Sequence, residues 1–184
     1  MIADALILLR HPSVAAPPGT CYGRTDPPLA ASAAEEIAAA LRALPPGRAV
    51  VASPAGRCRQ LAEAIAASWD VPLQIDPRLR ELDFGDWEGR PWAEIDRAES
   101  DPWAADPEHR APPGGESFVR LRDRVDAALA DLAPAAAVVT HAGPIRAAKM
   151  ILTGASFADV FAEPVPHARP LLVEDRRLAW PMSP

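Results

Sequence analysis

Two histidines that lie far apart in this chain of 184 residues each follow a short apolar run. Residues 5–9 lead into Arg10-His11, and residues 136–140 lead into His141. The chain has only four histidines, so the repeated placement of two of them indicates a shared role. In an open parallel sheet, ligands bind in the crevice outside the carboxyl ends of the strands. The two imidazoles therefore predict a nucleophilic or acid–base site at such a crevice.

Two arginines accompany these histidines. Arg10 directly precedes His11, and Arg57 follows a third apolar run, residues 49–52, across a Ser-Pro-Ala-Gly turn that leads into a helical pattern. A guanidinium group matches two phosphate oxygens at once, and the free N–H groups of a helix N-terminus also favour anions. Taken alone, Arg57 would be a solvated arginine in a first helical turn. Beside the two histidines, it predicts a phosphate pocket.

The rest of the sequence supplies the elements that could hold these residues. Short apolar runs alternate with longer helical patterns, which is typical of an α/β fold. The predicted strands are residues 5–9, 49–52, 72–75, 136–140 and a final pair, 171–174 and 177–180, with Asp175-Arg176 at the turn.

The predicted helices have recognisable start and stop residues. Ser32, with Glu35 three positions later, predicts a capping box for a helix that ends near Leu44. Three further helices are predicted at about residues 56–69, 117–132 and 144–152, the last with Pro144 in its first turn.

Residues 86–115 interrupt this alternation. The segment contains five prolines and three tryptophans. A loop of this length inside a compact domain is usually a functional lid or disordered, so we expect a long irregular excursion. Trp87, Trp92 and Trp103 are interpreted as core or loop anchors; alternatively, one or more of them line an entrance and stack on an aromatic ligand. No repeat or second domain is visible, so one domain is expected over residues 1–184.

The composition limits the class of partner. The chain has 25 acidic and 19 basic residues, a formal net charge of −6, so neither a nucleic acid nor an anionic membrane is expected as a partner. A small anionic ligand needs only a few local arginines. Cys21 and Cys58 match neither a disulfide framework nor a C-x-x-C site. Because no signal sequence or membrane-length apolar run is visible, a cytoplasmic location is expected, and a homodimer stays open.

Four motifs occur in a fixed order over residues 10–146. They are Arg10-His11-Pro12, Ser53-Pro54-x-x-Arg57, Glu81-Leu82-Asp83-Phe84-Gly85-Asp86-Trp87-Glu88-Gly89, and Thr140-His141-Ala142-Gly143. In this order they resemble the histidine phosphatase superfamily, which includes phosphoglycerate mutases and acid-type phosphatases. Two further segments, residues 21–26 and 113–117, are similar to the alpha-ribazole phosphatase branch of cobalamin synthesis.

The resemblance implies a three-layer α/β sandwich of the phosphoglycerate mutase type, with helices on both sides of a mostly parallel sheet. It also implies a site without metal or organic cofactor. His11 would attack phosphorus to give a phosphohistidine, while Arg10 and Arg57 bind the non-bridging oxygens. His141 would donate to the phosphoryl group. Glu81 would protonate the leaving alkoxide, for which it must carry a proton that burial or the incoming phosphate would favour.

The implied reaction is hydrolysis of a small phosphomonoester, with alpha-ribazole 5′-phosphate as the preferred substrate. A broader sugar-phosphate or nucleotide phosphatase is the alternative. A mutase is less favoured because mutases of the family are longer, and a silent phospho-ligand binder is disfavoured because the reactive set is complete. His11, His141 and Glu81 could also form a two-histidine, one-carboxylate metal site, but the two arginines would repel a divalent cation.

The chain departs from the family pattern at three positions near the first motif. Pro12 stands where glycine is usual, Val14 where threonine or serine is usual, and Pro17 where an asparagine often contributes to the phosphate pocket. Donors from residues 20–23, through side chain or backbone, are expected to replace the missing ones, with Cys21 and Gly23 as candidate substrate-binding residues. Arg24 is a further candidate, although a surface position explains it nearly as well.

Several polar residues are expected at the surface rather than in the site. Asp83, Asp86 and Glu88 are interpreted as a solvated acidic turn, with backbone hydrogen bonds from Asp86 and Glu88 as the alternative. His109 and His167 lie in proline-rich polar stretches, and a surface position is expected for both.

Overall fold

One central sheet contains six strands in the computed structural model, which describes residues 5–174 and 177–179. Their bounds are Leu6–Arg10 (β1), Ala49–Ala52 (β2), Leu73–Ile75 (β3), Ala136–Thr140 (β4), Leu171–Glu174 (β5) and Arg177–Ala179 (β6). The order across the sheet is β3-β2-β4-β1-β5-β6. The first four run parallel, β5 pairs antiparallel with β1, and β6 pairs antiparallel with β5. The expected α/β class is confirmed; the predicted turn Asp175-Arg176 and strand end Trp180 lie outside the described residues.

β4 is buried along its whole length because it lies between β2 and β1. Its small and β-branched side chains suit a strand that is covered on both faces. Arg10 pairs with Thr140 in the parallel register of β1 and β4, and the N–H of His11 donates to the carbonyl of Thr140 at 2.9 Å. His11 and His141 therefore leave the sheet at the same level, as their strand-end positions predict.

The described residues also contain six α-helices, with bounds Ala33–Ala43 (α1), Gly56–Trp69 (α2), Arg97–Ala105 (α3), Phe118–Ala130 (α4), Ala142–Thr153 (α5) and Phe157–Ala162 (α6). α1 and α2 share a core with Ile7 and Leu9, while α4 and α5 share another with Leu8. Successive strand side chains point to opposite faces, so this alternation produces a three-layer sandwich. Over the described ranges, no helix has the length and apolar character to cross a lipid bilayer.

Two helix starts differ from the prediction. The Ser32 hydroxyl donates to the carboxylate of Glu36 at 2.8 Å and makes no capping hydrogen bond, so the predicted capping box is wrong. α5 begins at Ala142, with His141 as its N-cap residue, two residues before the predicted start. Pro144 lies in the first turn, where its missing N–H costs no helical hydrogen bond.

The segment 86–115, expected to be an irregular excursion, contains a helix and is therefore not irregular throughout. α3 lies in its middle, after two 3₁₀ turns at Gly85–Trp87 and Trp92–Glu94. Trp87 is fully buried against Cys21 and Ile95. Its interpretation as an anchor is confirmed, and this apolar cluster fixes the segment to the rest of the fold.

Candidate active site

His11 follows β1 at the carboxyl end of the sheet and is 1 % exposed. Its Nδ1 lies 2.7 Å from the carbonyl oxygen of Pro12. Because a carbonyl can only accept, Nδ1 carries the proton and Nε2 keeps its lone pair. Burial, together with the positive charges of Arg57 and Arg10, lowers the pKa of His11 to about 2. The imidazole is therefore neutral, with a free nucleophilic nitrogen.

His141 lies beside His11, with 5.3 Å between the ring centroids, and has the opposite tautomer. Its Nδ1 accepts from Nη2 of Arg57 at 3.1 Å, because a guanidinium can only donate. The proton of the neutral ring then lies on Nε2, which is 2.8 Å from the hydroxyl oxygen of Ser53. Burial and the charge of Arg57 hold the pKa of His141 well below its usual value. His141 thus offers an N–H donor, which Ser53, a motif residue without a predicted role, orients.

Arg10 and Arg57 bring two guanidinium groups to the same end of the sheet. Arg57 is 2 % exposed and donates to the carbonyls of Gly23 and Thr25, both at 2.7 Å. Arg10 donates through Nη1 to the carbonyl of Val165 at 2.8 Å. Among the described residues, the buried Nε–H of each arginine has no hydrogen-bond partner. A buried donor left unpaired costs about 1–3 kcal/mol, so these two groups favour the arrival of an anion.

The N-terminus of α2 faces an anion, as expected, but that anion is the carboxylate of Asp26. Its Oδ2 accepts from the N–H of Gly56 at 2.5 Å, and its Oδ1 lies 3.0 Å from Nη1 of Arg57. The carboxylate satisfies a first-turn N–H and meets the positive end of the helix dipole. A substrate phosphate can contact these N–H groups only if Asp26 moves.

Glu81 is held against the start of α5. Its carboxylate accepts from the N–H of Gly143 at 3.1 Å and from that of Leu82 at 2.9 Å. A Cβ atom at Gly143 would overlap the Glu81 carboxylate, so this close approach requires glycine. In the described part of the chain, no group of three or more His, Cys, Asp or Glu side chains is arranged to hold a metal ion.

A polar cavity of about 270 Å³ opens where these elements meet. Its lining residues come from the ends of β2 and β4 and from two loops: Gly23, Arg24, Asp26, Pro54, Ala55, Arg57, Arg80, Glu81 and His141. Five of the predicted site residues are thus brought together at one cavity. His11, preceded by Arg10, adjoins this group through its ring contact with His141.

The ordered motifs and the paired histidines have a counterpart among known proteins. The family model of the histidine phosphatase superfamily (branch 1) matches residues 6–174. The chain belongs to this superfamily. The resemblance stated from the motifs is therefore confirmed at the level of the family.

Curated phosphatases match part of the chain. A glucosyl-3-phosphoglycerate phosphatase from Mycolicibacterium vanbaalenii is 34 % identical over 124 residues, which are 65 % of this chain and 55 % of the relative. An adenosylcobalamin/alpha-ribazole phosphatase from Escherichia coli is 31 % identical over 86 residues, 45 % of this chain and 42 % of the relative. The chain thus spans about half the length of the curated relatives that it matches.

Solved structures share the fold over nearly the whole chain. A protein from Escherichia coli K-12 described as a candidate alpha-ribazole-5′-P phosphatase has a TM-score of 0.85 at 26 % identity, covering 98 % of this chain and 97 % of that one. A mycobacterial glucosyl-3-phosphoglycerate phosphatase has a TM-score of 0.82 at 24 % identity, covering 98 % and 99 %. The second likeness shows the fold alone. The expected phosphoglycerate mutase-like fold is confirmed.

Two candidate substrate contacts of this superfamily member have partners within the protein. Cys21 is fully buried, and its N–H and carbonyl are bonded to Arg90 and Gly89, so the structure contradicts its predicted contact with substrate. Arg24 lines the polar cavity and forms an ion pair with Asp83 at 2.8 Å. The Arg24 side chain is 42 % exposed, which keeps it within reach of a ligand.

Glu88 fixes the loop that contains Arg24. Its carboxylate accepts from the N–H groups of Arg24 at 2.8 Å, Thr25 at 2.5 Å and Phe84 at 3.2 Å. The interpretation of Glu88 as part of a solvated turn is therefore wrong, and its alternative role in holding the loop is confirmed. Asp86 is exposed, as the solvated turn predicts.

His167 lies beside the site, so its expected surface position is wrong. It is half-buried, its Nδ1 donates to the carbonyl of His11 at 2.9 Å, and 5.2 Å separate the two ring centroids. β5 pairs antiparallel with β1, so the segment just before β5 meets the segment just after β1. Only the order of strands across the sheet reveals this proximity, and local sequence patterns do not supply that order. His109 is exposed, as expected.

Proposed function

We propose that this protein hydrolyses a phosphomonoester through a phosphohistidine formed on His11. The observation that carries the proposal is a free nucleophile beside unpaired cationic donors. Nε2 of His11 keeps its lone pair because Nδ1 donates to Pro12. The Nε–H groups of Arg10 and Arg57 have no partner within the described ranges. The phosphorus of a phosphate ester is an electrophile for Nε2 of His11. The ester's oxygens are acceptors for the Nε–H groups of the two arginines.

Charge stabilisation supports the same reaction. Phosphoryl transfer depends on positioning and on electrostatic stabilisation more than on covalent chemistry by the protein. Arg10 and Arg57 would bind the non-bridging oxygens, and His141 would turn its Nε2–H from Ser53 to the phosphoryl group. These donors stand in a buried site, where each interaction with a developing charge is stronger than in water.

Two displacements at phosphorus complete the proposed reaction. In the first, Nε2 of His11 bonds to phosphorus while the bond to the ester oxygen breaks, and Glu81 protonates the departing oxygen. In the second, water attacks the phosphohistidine, the phosphorus–nitrogen bond breaks, and the proton of the water passes to the Glu81 carboxylate. The products are an alcohol and inorganic phosphate, and both side chains return to their starting states.

Alpha-ribazole 5′-phosphate is the proposed substrate. The motifs at residues 21–26 and 113–117 and the similarity to Escherichia coli alpha-ribazole phosphatases support this choice. Glucosyl-3-phosphoglycerate is the competing substrate, because the Mycolicibacterium vanbaalenii relative is 34 % identical over a larger share of the chain.

A phosphate-release screen tests the proposal. Wild type and His11→Ala are compared on alpha-ribazole 5′-phosphate, glucosyl-3-phosphoglycerate, 3-phosphoglycerate and a nucleoside monophosphate, with and without a chelator. His109→Ala, which changes an exposed histidine, is the matched control. We expect the highest kcat/KM on alpha-ribazole 5′-phosphate, no effect of the chelator, and only background release by His11→Ala. Undiminished release by His11→Ala would overturn the mechanism, and a preference for glucosyl-3-phosphoglycerate would overturn the substrate.

A further inference from the structure

A second cavity, of about 300 Å³, adjoins the polar cavity and differs from it in character. Among the described residues, Glu81 alone lines both cavities. Aromatic side chains dominate the lining of this second cavity. The lining residues discussed below are Phe84, Trp103, Phe118, Arg146, Phe157 and Phe161. This second cavity is called the aromatic cavity below.

Three phenylalanines form one wall of the aromatic cavity. Phe157 and Phe161 stack with their ring centroids 4.2 Å apart, and Phe118 meets Phe157 edge to face at 5.1 Å. Phe161 is 43 % exposed, so the fold leaves a large apolar side chain partly uncovered at this wall. A concave site with an uncovered aromatic wall is typical of a pocket for a flat apolar group.

Two polar side chains complete the aromatic cavity. The buried indole N–H of Trp103 has no hydrogen-bond partner among the described residues. Arg146 is half-buried, and its guanidinium lies over the ring of Phe161 at 4.5 Å. The Nε of Arg146 donates to the carbonyl of Val160 at 3.1 Å, which fixes the cation at the edge of the aromatic wall. The cavity therefore combines aromatic surfaces with one cation beside them.

We propose that the aromatic cavity holds the leaving group of the reaction, and that this leaving group is a flat aromatic nucleoside. The inference rests on the proposed function and adds the chemistry of the alcohol half of the ester. Glu81, as proton donor, must contact the oxygen that leaves phosphorus, and Glu81 borders both cavities. A phosphoryl group in the polar cavity therefore puts the rest of the ester on the aromatic side of Glu81. There the base packs against the exposed part of Phe161.

A leaving group that is a sugar alone suits this cavity poorly. Its hydroxyl groups would lose water against the rings of Phe118, Phe157 and Phe161, and a buried polar group without a partner is destabilising. An aromatic base loses little solvation on the same wall and gains ring contacts. The aromatic cavity therefore selects a nucleoside ester over an ester of a sugar alone.

Alpha-ribazole 5′-phosphate and ribose 5-phosphate test the inference, because only the first carries an aromatic base. We expect the kcat/KM of wild type to be at least about tenfold higher on alpha-ribazole 5′-phosphate than on ribose 5-phosphate. Phe161→Ala should lower kcat/KM on alpha-ribazole 5′-phosphate by up to about tenfold. Ribose 5-phosphate should change less than about twofold in the same variant. Ile75→Ala trims an exposed apolar residue away from both cavities and should affect neither substrate. Phe161→Leu keeps an apolar side chain and separates loss of the ring from misfolding.

Two outcomes would overturn the leaving-group assignment: equal kcat/KM for the two substrates in wild type, or equal losses on both in Phe161→Ala. Binding of free alpha-ribazole to His11→Ala, measured by calorimetry, separates this inference from the phosphohistidine chemistry. Binding that an added Phe161→Ala change weakens by up to about tenfold supports the aromatic cavity even without phosphate release. Absence of such binding in a protein that still hydrolyses the ester would overturn the cavity and leave the chemistry standing.

Discussion

At the scale of single residues, one hydrogen bond on each imidazole assigns opposite tasks to two neighbouring histidines. The Pro12 carbonyl holds the proton of His11 on Nδ1. In His141, Nδ1 accepts a hydrogen bond from Arg57, so the proton of the ring lies on Nε2. The sequence motifs identify both histidines. The proton positions depend on contacts such as that between Arg57 and His141, which are 84 positions apart, and so emerge only from the fold.

The buried, neutral His11 should make folding sensitive to acid. Burial lowers the pKa of His11 from 6.5, its value in an unfolded chain, to about 2. Below pH 6.5 the unfolded state therefore binds a proton that the folded state does not. The stabilisation is fully present above pH 6.5 and is lost as the pH falls toward the folded pKa. One such histidine should lower the free energy of unfolding by about 2 kcal/mol between pH 7 and pH 5.

Thermal unfolding at these two pH values measures the effect. His11→Asn removes one of the titrating groups, so its melting temperature should fall less on acidification than that of wild type. His109→Asn is the matched control, because His109 is exposed and a hydrogen bond to Asp106 raises its pKa; this variant should keep the full loss. Identical pH profiles for His11→Asn and wild type would mean that His11 is not held neutral.

His167 should act as a positioning residue for His11. Its Nδ1–H donates to the His11 carbonyl, so loss of the donor should loosen the nucleophile rather than weaken substrate binding. We expect His167→Phe to lower kcat by up to about tenfold with little change in KM, since one hydrogen bond contributes about 0.5–1.5 kcal/mol. His167→Asn places an amide N–H near the same point and should restore most of kcat. Equal losses in both variants, measured by steady-state kinetics, would exclude the donor role.

At the scale of elements, the carboxyl ends of β1, β2 and β4 gather the reactive residues at one edge of the sheet. Apolar composition alone predicts these strands, and parallel pairing then puts His11, Arg57 and His141 together. Asp26 and His167 were not predicted as site residues, because each reaches the site through a loop. The contacts of such loops depend on the order of strands and on close packing, neither of which has a local pattern.

α2 should depend on Asp26 for its N-terminal cap. Because the carboxylate accepts from the N–H of Gly56 and pairs with Arg57, we expect Asp26→Ala to lower the free energy of unfolding by about 1 kcal/mol. Ser32→Ala is the control, since the Ser32 hydroxyl makes no capping hydrogen bond, and it should change stability by less than about 0.5 kcal/mol. Urea denaturation measures the free energy of unfolding of both variants. A denaturation midpoint of Asp26→Ala equal to that of wild type would refute the role of Asp26 as the cap of α2.

The contact between Glu81 and α5 should control protonation of the leaving group. Glu81→Gln cannot release a proton, and a Cβ at Gly143 would displace the carboxylate, so Glu81→Gln and Gly143→Ala should both lower kcat on an alkyl phosphate. A nitrophenyl ester leaves without a proton, so the rate of its first step, transfer of the phosphoryl group to the enzyme, should fall at least about tenfold less. Single-turnover release of the alcohol from the two esters measures the difference. An unchanged kcat of Glu81→Gln on the alkyl ester would exclude Glu81 as the acid.

At the scale of the whole molecule, an acidic protein carries a cationic site. The formal net charge is −6, while Arg10 and Arg57 concentrate positive charge at one sheet edge, so local placement rather than overall charge determines anion binding. The polar cavity could be predicted because Arg57, Glu81 and His141, which line it, lie in motifs. The aromatic cavity could not, since α4 and α6 contribute phenylalanines that look like ordinary core residues in sequence.

The phosphoryl group should pass through His11, and the covalent intermediate can be trapped. Wild type and His11→Asn are mixed with alpha-ribazole 5′-phosphate, quenched in alkali, digested and analysed by mass spectrometry. We expect one phosphoryl group on the wild-type peptide that contains His11, lost after brief treatment with acid, and none in His11→Asn. A phosphoryl group on a different residue, or phosphate release by His11→Asn at the wild-type rate, would contradict nucleophilic catalysis by His11.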